Sequence, residues 1–105
     1  MKSFNTITIG ETEHKLRLTT GAVMSIEKKL GKSMLTALEN VEENMVETLV
    51  TILWGALRPF NKDITFEKAV DLLDDYFDDG NSLEQLMGEM NSLLETSGFF
   101  SKGQD

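Results

Sequence analysis

The sequence predicts an α+β domain that is mainly α: an N-terminal β-hairpin and about five helices packed around a central apolar helix, 42–58. Three observations predict it. Residues 5–9 and 12–18 alternate apolar and polar positions on either side of Gly10-Glu11, the period of strands joined by a tight turn. From residue 20 onward, apolar residues recur at helical spacing in segments bounded by Ser, Thr and Gly. Val46 to Leu57 is apolar on nearly every side, as in a helix that others surround.

In the hairpin, 4–18, Gly10 holds the first central position of a two-residue turn, as type II′ asks. That register pairs Ile9 with Thr12, Ile7 with His14 and Asn5 with Leu16. Ile7, Ile9, His14, Leu16 and Leu18 then share one face, with Phe4, Thr6, Thr8, Glu13, Lys15 and Arg17 on the other. His14, at the margin of the apolar face, reads as a packed or half-exposed histidine rather than a ligand. A lone hairpin is marginal in water. It must lie against the helices, pair with a strand of a second copy, or both; its open edges make self-association one expectation.

The first helix, 20–30, has a threonine cap, a Val23, Ile26 and Leu30 stripe, Lys28 and Lys29 near its C-terminal end, and Gly31 as stop. Ser33 caps a short helix, 34–39, with Leu35 and Leu38 facing inward. Asn40-Val41-Glu42 is the hinge into the central helix, where Met45, Leu49, Leu53 and Leu57 recur every four residues, widened by Val46 and Val50. Pro59 ends it. Thr65 caps the helix 66–79, whose apolar face is Phe66, Ala69, Val70, Leu73 and Phe77, widened by Leu72 and Tyr76. Asp71, Asp74, Asp75 and Asp78 lie opposite. Ser82 caps the last helix, 83–97, striped by Leu83, Leu86, Met87, Met90, Leu93 and Leu94 and stopped by Gly98. Residues 1–98 form a single domain, and 99–105 a tail that opens on Phe99 and Phe100.

Composition narrows the function classes. The absence of cysteine excludes disulfides, thiolate metal sites and cysteine nucleophiles, and a single histidine excludes a histidine-rich centre within one chain. The opening Met1-Lys2-Ser3-Phe4-Asn5 has no apolar run of the secretory kind, so cytoplasm is the expected location. The central apolar run, bracketed by Glu47 and Arg58, is shorter than the roughly 20 residues of a membrane span. Net charge is −8, and it is uneven: residues 1–62 sum to +1 and residues 63–105 to −9. An acidic half opposes binding to nucleic acid.

Catalytic and ligand motifs are weak. Taking Gly80 as position 6 of a calcium loop starts it at Asp75 and puts Phe77 and Leu86 where oxygen ligands are required, so the motif fails. His14 has no recognisable catalytic partner, the paired carboxylates lie on a polar helix face, and no glycine-rich phosphate loop occurs. No enzyme activity, cofactor or metal is expected. Asn81-Ser82-Leu83 resembles the Asp-Ser-Leu turn of acyl carrier proteins with Asn in place of Asp, while Ser82 already has an ordinary cap role.

The order of elements carries a further signal. Leu16-Arg17-Leu18-Thr19-Thr20-Gly21-Ala22 closes the hairpin, and Ile26-Glu27-Lys28-Lys29-Leu30-Gly31-Lys32-Ser33 closes the first helix. Leu53-Trp54-Gly55-Ala56-Leu57-Arg58, then Ile64-Thr65-Phe66-Glu67-Lys68-Ala69 and Thr96-Ser97-Gly98-Phe99-Phe100 follow. Over roughly residues 4–100 this resembles the small tail assembly chaperones of long-tailed bacteriophages and of prophages in Gram-positive bacteria. The resemblance implies a non-enzymatic morphogenesis protein. It would bind the tape measure protein, keep it soluble and help tail tube protein polymerise, acting in the host cytoplasm and leaving the finished virion. It also implies a longer frameshifted form, with Ser101 to Asp105 at the junction.

Such a role calls for an apolar groove with adaptable side chains, which six methionines can supply. Met87, Met90, Phe99 and Phe100 are the expected contacts. The alternative is a small acidic adaptor or inhibitor that binds a basic protein through Asp71, Asp74, Asp75 and Asp78; a carrier modified at Ser82 is a third reading. Trp54 reads as core.

Overall fold

A computed structural model of the chain describes residues 4–99. Its elements are strands β1 (Asn5–Ile9) and β2 (Thr12–Leu16), helices α1 (Thr20–Leu30) and α2 (Met34–Glu39), a 3₁₀ turn (Val41–Glu43), and helices α3 (Met45–Leu57), α4 (Phe66–Asp78) and α5 (Leu83–Ser97). The architecture is the expected α+β one, a two-stranded antiparallel hairpin followed by five α-helices.

Helix starts fall where local chemistry puts them. Thr19, Ser33, Thr65 and Ser82 each hold extended backbone and accept a hydrogen bond from the N–H three residues on. At α5, Gln85 also reaches back to the Ser82 N–H at 2.6 Å, completing a capping box. The central helix departs from expectation. It begins at Met45 rather than 42, because Val41–Glu43 winds as a 3₁₀ turn and Asn44 (φ −144°, ψ 56°) leaves the helical path. It ends at Leu57, and α4 ends at Asp78, each one residue early.

Nine of the thirteen residues of α3 are buried, and Ile52, Leu53, Ala56 and Leu57 have no exposed surface. Thr51, equally buried, keeps its hydroxyl satisfied by donating to the Glu47 carbonyl at 2.6 Å. The C-terminal carbonyls of α3 also find donors. Pro59 has no N–H to offer Gly55, so the Arg58 N–H serves that carbonyl instead, at 3.3 Å. The Ala56 carbonyl accepts from the Arg17 N–H at 3.0 Å, and the Leu57 carbonyl from Phe60 N–H and Asn61 Nδ2. Trp54 is half-buried rather than fully in the core. Its indole N–H donates to the Ile64 carbonyl, Phe66 meets it edge-on and the Arg58 guanidinium lies over it.

The hairpin has the expected register, with Gly10 at φ 65° in its turn. Ile7, Ile9, Leu16 and Leu18 are buried and His14 is half-buried, with β1 against α4 and α5 and β2 against α3. The hairpin is thus held by helices of its own chain. The Asp79 carboxylate accepts a hydrogen bond from the Gly10 N–H across 69 positions of sequence. Negative charge is unfavourable at a helix C-terminus; here it clamps the hairpin tip.

Three apolar positions point elsewhere than their periodicity suggested. Leu35 is 59 % exposed, and Met34 and Ala37 turn inward instead. The Met34 N–H is held by the Glu27 carboxylate at 2.8 Å, which fixes the rotation of α2. On α4 the buried face is Ala69, Leu72, Leu73 and Tyr76, leaving Val70 exposed and Phe66 and Phe77 at the edges. Tyr76 sets that rotation: it is buried, and its hydroxyl donates to Glu89 of α5 at 3.0 Å. Val46, in the first turn of α3, is 53 % exposed.

α1 and α3 approach closely at Gly55. A Cβ there would fall 2.6 Å from Ile26 Cδ1 and 3.3 Å from the Ala22 carbonyl oxygen. Ile26 has no exposed surface, so it has nowhere to retreat. Gly55→Ala gains about 1 kcal/mol of helix propensity and loses ~1–3 kcal/mol to overpacking. We expect a net loss, read as a lower urea midpoint, and a smaller loss when the same change is made in an Ile26→Ala background.

Tyr76 is the single tyrosine, so phenolate absorbance reports it alone. Burial, and then the hydrogen bond and negative charge of Glu89, push its pKa from 10.0 up to about 12. The folded value is raised, so native and unfolded chains bind this proton equally below the unfolded pKa. Stability then falls, by up to ~1.4 kcal/mol per pH unit, as pH rises toward the folded value. Alkaline titration of the folded protein should show one late phenolate transition, which Glu89→Gln moves earlier without restoring the ordinary value, because burial remains.

Candidate functional site

The face of α5 opposite Glu89 is what the Tyr76 bond leaves free. Met87, Met90, Asn91 and Leu94 share it, at the i, i+3, i+4, i+7 spacing of one helix face. They look across to Leu38 of α2, Val41 of the 3₁₀ turn, and Leu49 and Ile52 of α3. Together these residues enclose an apolar crevice of about 190 Å³. Met90, 2 % exposed, belongs to its buried wall, whereas Met87 is half-buried.

The break at Asn44 helps to make this crevice. Because the chain winds through a 3₁₀ turn before α3, Val41 is placed as a half-buried lining residue. Apolar surface continues outside. Exposed Leu35 precedes Leu38 by three residues on α2, and exposed Val46 precedes Leu49 by three on α3, so each shares a helix face with a lining residue. The lining side chains are aliphatic or thioether apart from the Asn91 amide, a surface suited to binding. Its volume is close to that of cavities, about 150 Å³, that accept one benzene ring. It fits an anchoring side chain rather than a whole helix.

The other expected contacts lie apart. Asp71, Asp74, Asp75 and Asp78 are exposed on α4, which contributes nothing to the crevice. Phe99 is 45 % exposed, its N–H bonded to Ser97 Oγ, and it is not among the lining residues. Phe100 lies outside the described residues. The structure therefore joins Met87 and Met90 and separates both from the aspartate face. Ser82 is half-buried with its hydroxyl engaged in the cap of α5. His14 lines a shallow depression with Lys62, Asp63 and Lys68, and no hydrogen bond links it to Asp63. Among the described residues, no group of His, Cys, Asp or Glu is arranged to hold a metal, and no helix is long and apolar enough to cross a membrane.

Sequence reasoning missed Leu38, Val41, Leu49, Ile52, Asn91 and Leu94 as parts of a site. Leu49 and Ile52 are indistinguishable from core in a helix apolar all round. Val41, an apolar residue inside a polar hinge, was the available signal.

With this geometry in view, the family can be stated: the chain belongs to a family of unknown function, DUF6096, whose model matches residues 1–105. No curated protein and no solved structure matches it.

Proposed function

We propose that this protein is a non-enzymatic tail assembly chaperone of a long-tailed bacteriophage or prophage. In the host cytoplasm it binds the tape measure protein and assists polymerisation of the tail tube. The order of elements supports this reading through its resemblance to such chaperones. The observation that carries it furthest is the crevice edged by Met87 and continued by exposed Leu35 and Val46. A long helical client exposes apolar anchors at i, i+3, i+4 and i+7, and a cleft between helices receives such anchors one or two at a time. Methionine walls adapt to anchors of different shape, which suits a client whose successive segments differ. Repeated weak engagement of one small cleft would mask a long chain and still release it to tube subunits.

Co-expression with the tape measure protein encoded at the same locus tests the proposal. The expected result is more soluble client and co-elution of the two chains. Met87→Glu, which puts a charge at the half-buried rim, should abolish both while the variant's thermal unfolding stays close to that of the parent. Unchanged client solubility and elution with the parent protein would sink the reading.

A further inference from the structure

Charge around the crevice is more one-sided than the net charge of the chain requires. From residue 33 to residue 57, which spans α2, the 3₁₀ turn and α3, there is no lysine or arginine, and α5 has none either. Every element that lines the crevice is therefore acidic or neutral. Glu39, Glu42 and Glu43 directly follow or flank Leu38 and Val41, and all three are exposed. On α5, Glu84 precedes Met87 by three residues and Glu95 follows Asn91 by four, so both sit on the flank of the lining face, and both are exposed. The ten basic residues of the chain all lie on other segments. No lysine or arginine within these elements neutralises the glutamates.

We infer that the crevice takes an amphipathic protein helix whose apolar anchor is flanked by lysine or arginine. This rests on reading the crevice as a binding site and adds the chemistry of its occupant. The apolar walls require an apolar anchor. The exposed glutamates carried by its lining elements, Glu39, Glu42 and Glu43 beside Leu38 and Val41 and Glu84 and Glu95 toward the two ends of α5, make an acidic rim that rewards cations flanking the anchor and repels anions. The same rim disfavours anionic lipid headgroups and nucleic acid phosphates, whose charge matches its own. The depression beside the α4 aspartates is lined by Lys62 and Lys68 as well as Asp63, and those lysines oppose a basic partner there.

Fluorescence anisotropy with three labelled helical peptides tests this. The peptides share one leucine and alanine seam and carry flanking positions that are all Lys, all Gln or all Glu. The Lys-flanked peptide should bind best, about tenfold tighter than the Gln-flanked one at low salt, with the gap closing as salt rises from about 50 to 500 mM. The double change Glu42→Gln, Glu43→Gln should weaken the Lys-flanked peptide roughly threefold to tenfold and leave the Gln-flanked peptide unchanged. Met87→Glu should weaken the Gln-flanked peptide, and Asp74→Asn with Asp75→Asn should affect neither peptide. Equal binding of Lys- and Gln-flanked peptides, lost on Met87→Glu, would overturn the charge inference and leave the crevice as a site. Binding insensitive to Met87→Glu but lost with the α4 changes would overturn the crevice itself. Sedimentation of the protein alone as a dimer that Met87→Glu dissociates would place a second copy in the crevice and equally overturn the proposal.

Discussion

Everything else in the fold depends on burying most of the surface of α3. An apolar helix with polar backbone ends can be enclosed only if its neighbours also supply hydrogen bonds. That explains why the hairpin does more than cover a face: the residue after β2, Arg17, gives its N–H to the Ala56 carbonyl. It also explains Gly55, the point where α1 passes so close that no side chain fits between. The hairpin is held at both ends, by Ala56 at its exit and by Asp79 at its tip. A two-stranded sheet, marginal alone, is thereby made part of the helical core.

What could be read from the sequence, and what could not, divides along a physical line. Helix boundaries were legible at Thr19, Ser33, Gly31, Thr65, Ser82 and Gly98 because capping is chemistry within a few residues. The hairpin register was legible because a two-residue turn fixes it. Rotation of a helix about its axis was not, because the deciding contacts come from distant segments. Glu27 turns Met34 inward and Leu35 out; Glu89 turns Tyr76 inward and Val70 out. Where a stripe is broad, periodicity alone permits several phases, and a single part-buried hydrogen bond chooses among them.

The candidate site follows the same division. Met87 and Met90 could be placed on a common face because both lie on one helix. The opposing wall could not, since Leu38, Val41, Leu49 and Ile52 come from three other elements whose meeting depends on the break at Asn44. The charge signal was equally hidden. Summing charge over residues 1–62 gives a nearly neutral half, in which the basic residues of the hairpin, α1 and the loop after α3 mask an unbroken acidic stretch from 33 to 57.

α5 is fastened unequally on its two sides, and this bears on how the crevice could work. Toward α4 it is held by polar bonds of fixed geometry: Tyr76 to Glu89, and Asn81 to the Tyr76 carbonyl just before the Ser82 cap. Toward α2 and α3 it offers Met87, Met90 and Leu94, which hold by packing alone. Hydrogen bonds lose strength steeply with angle, whereas thioether contacts tolerate small displacements. A ligand that enters the crevice therefore meets one wall that can repack around it and a scaffold that keeps the remainder of α5 in place. On the opposing wall, Leu35 of α2 and Val46 of α3 stay exposed at some cost in solubility, which the exposed Glu39, Glu42, Glu43 and Glu47 of the same stretch offset.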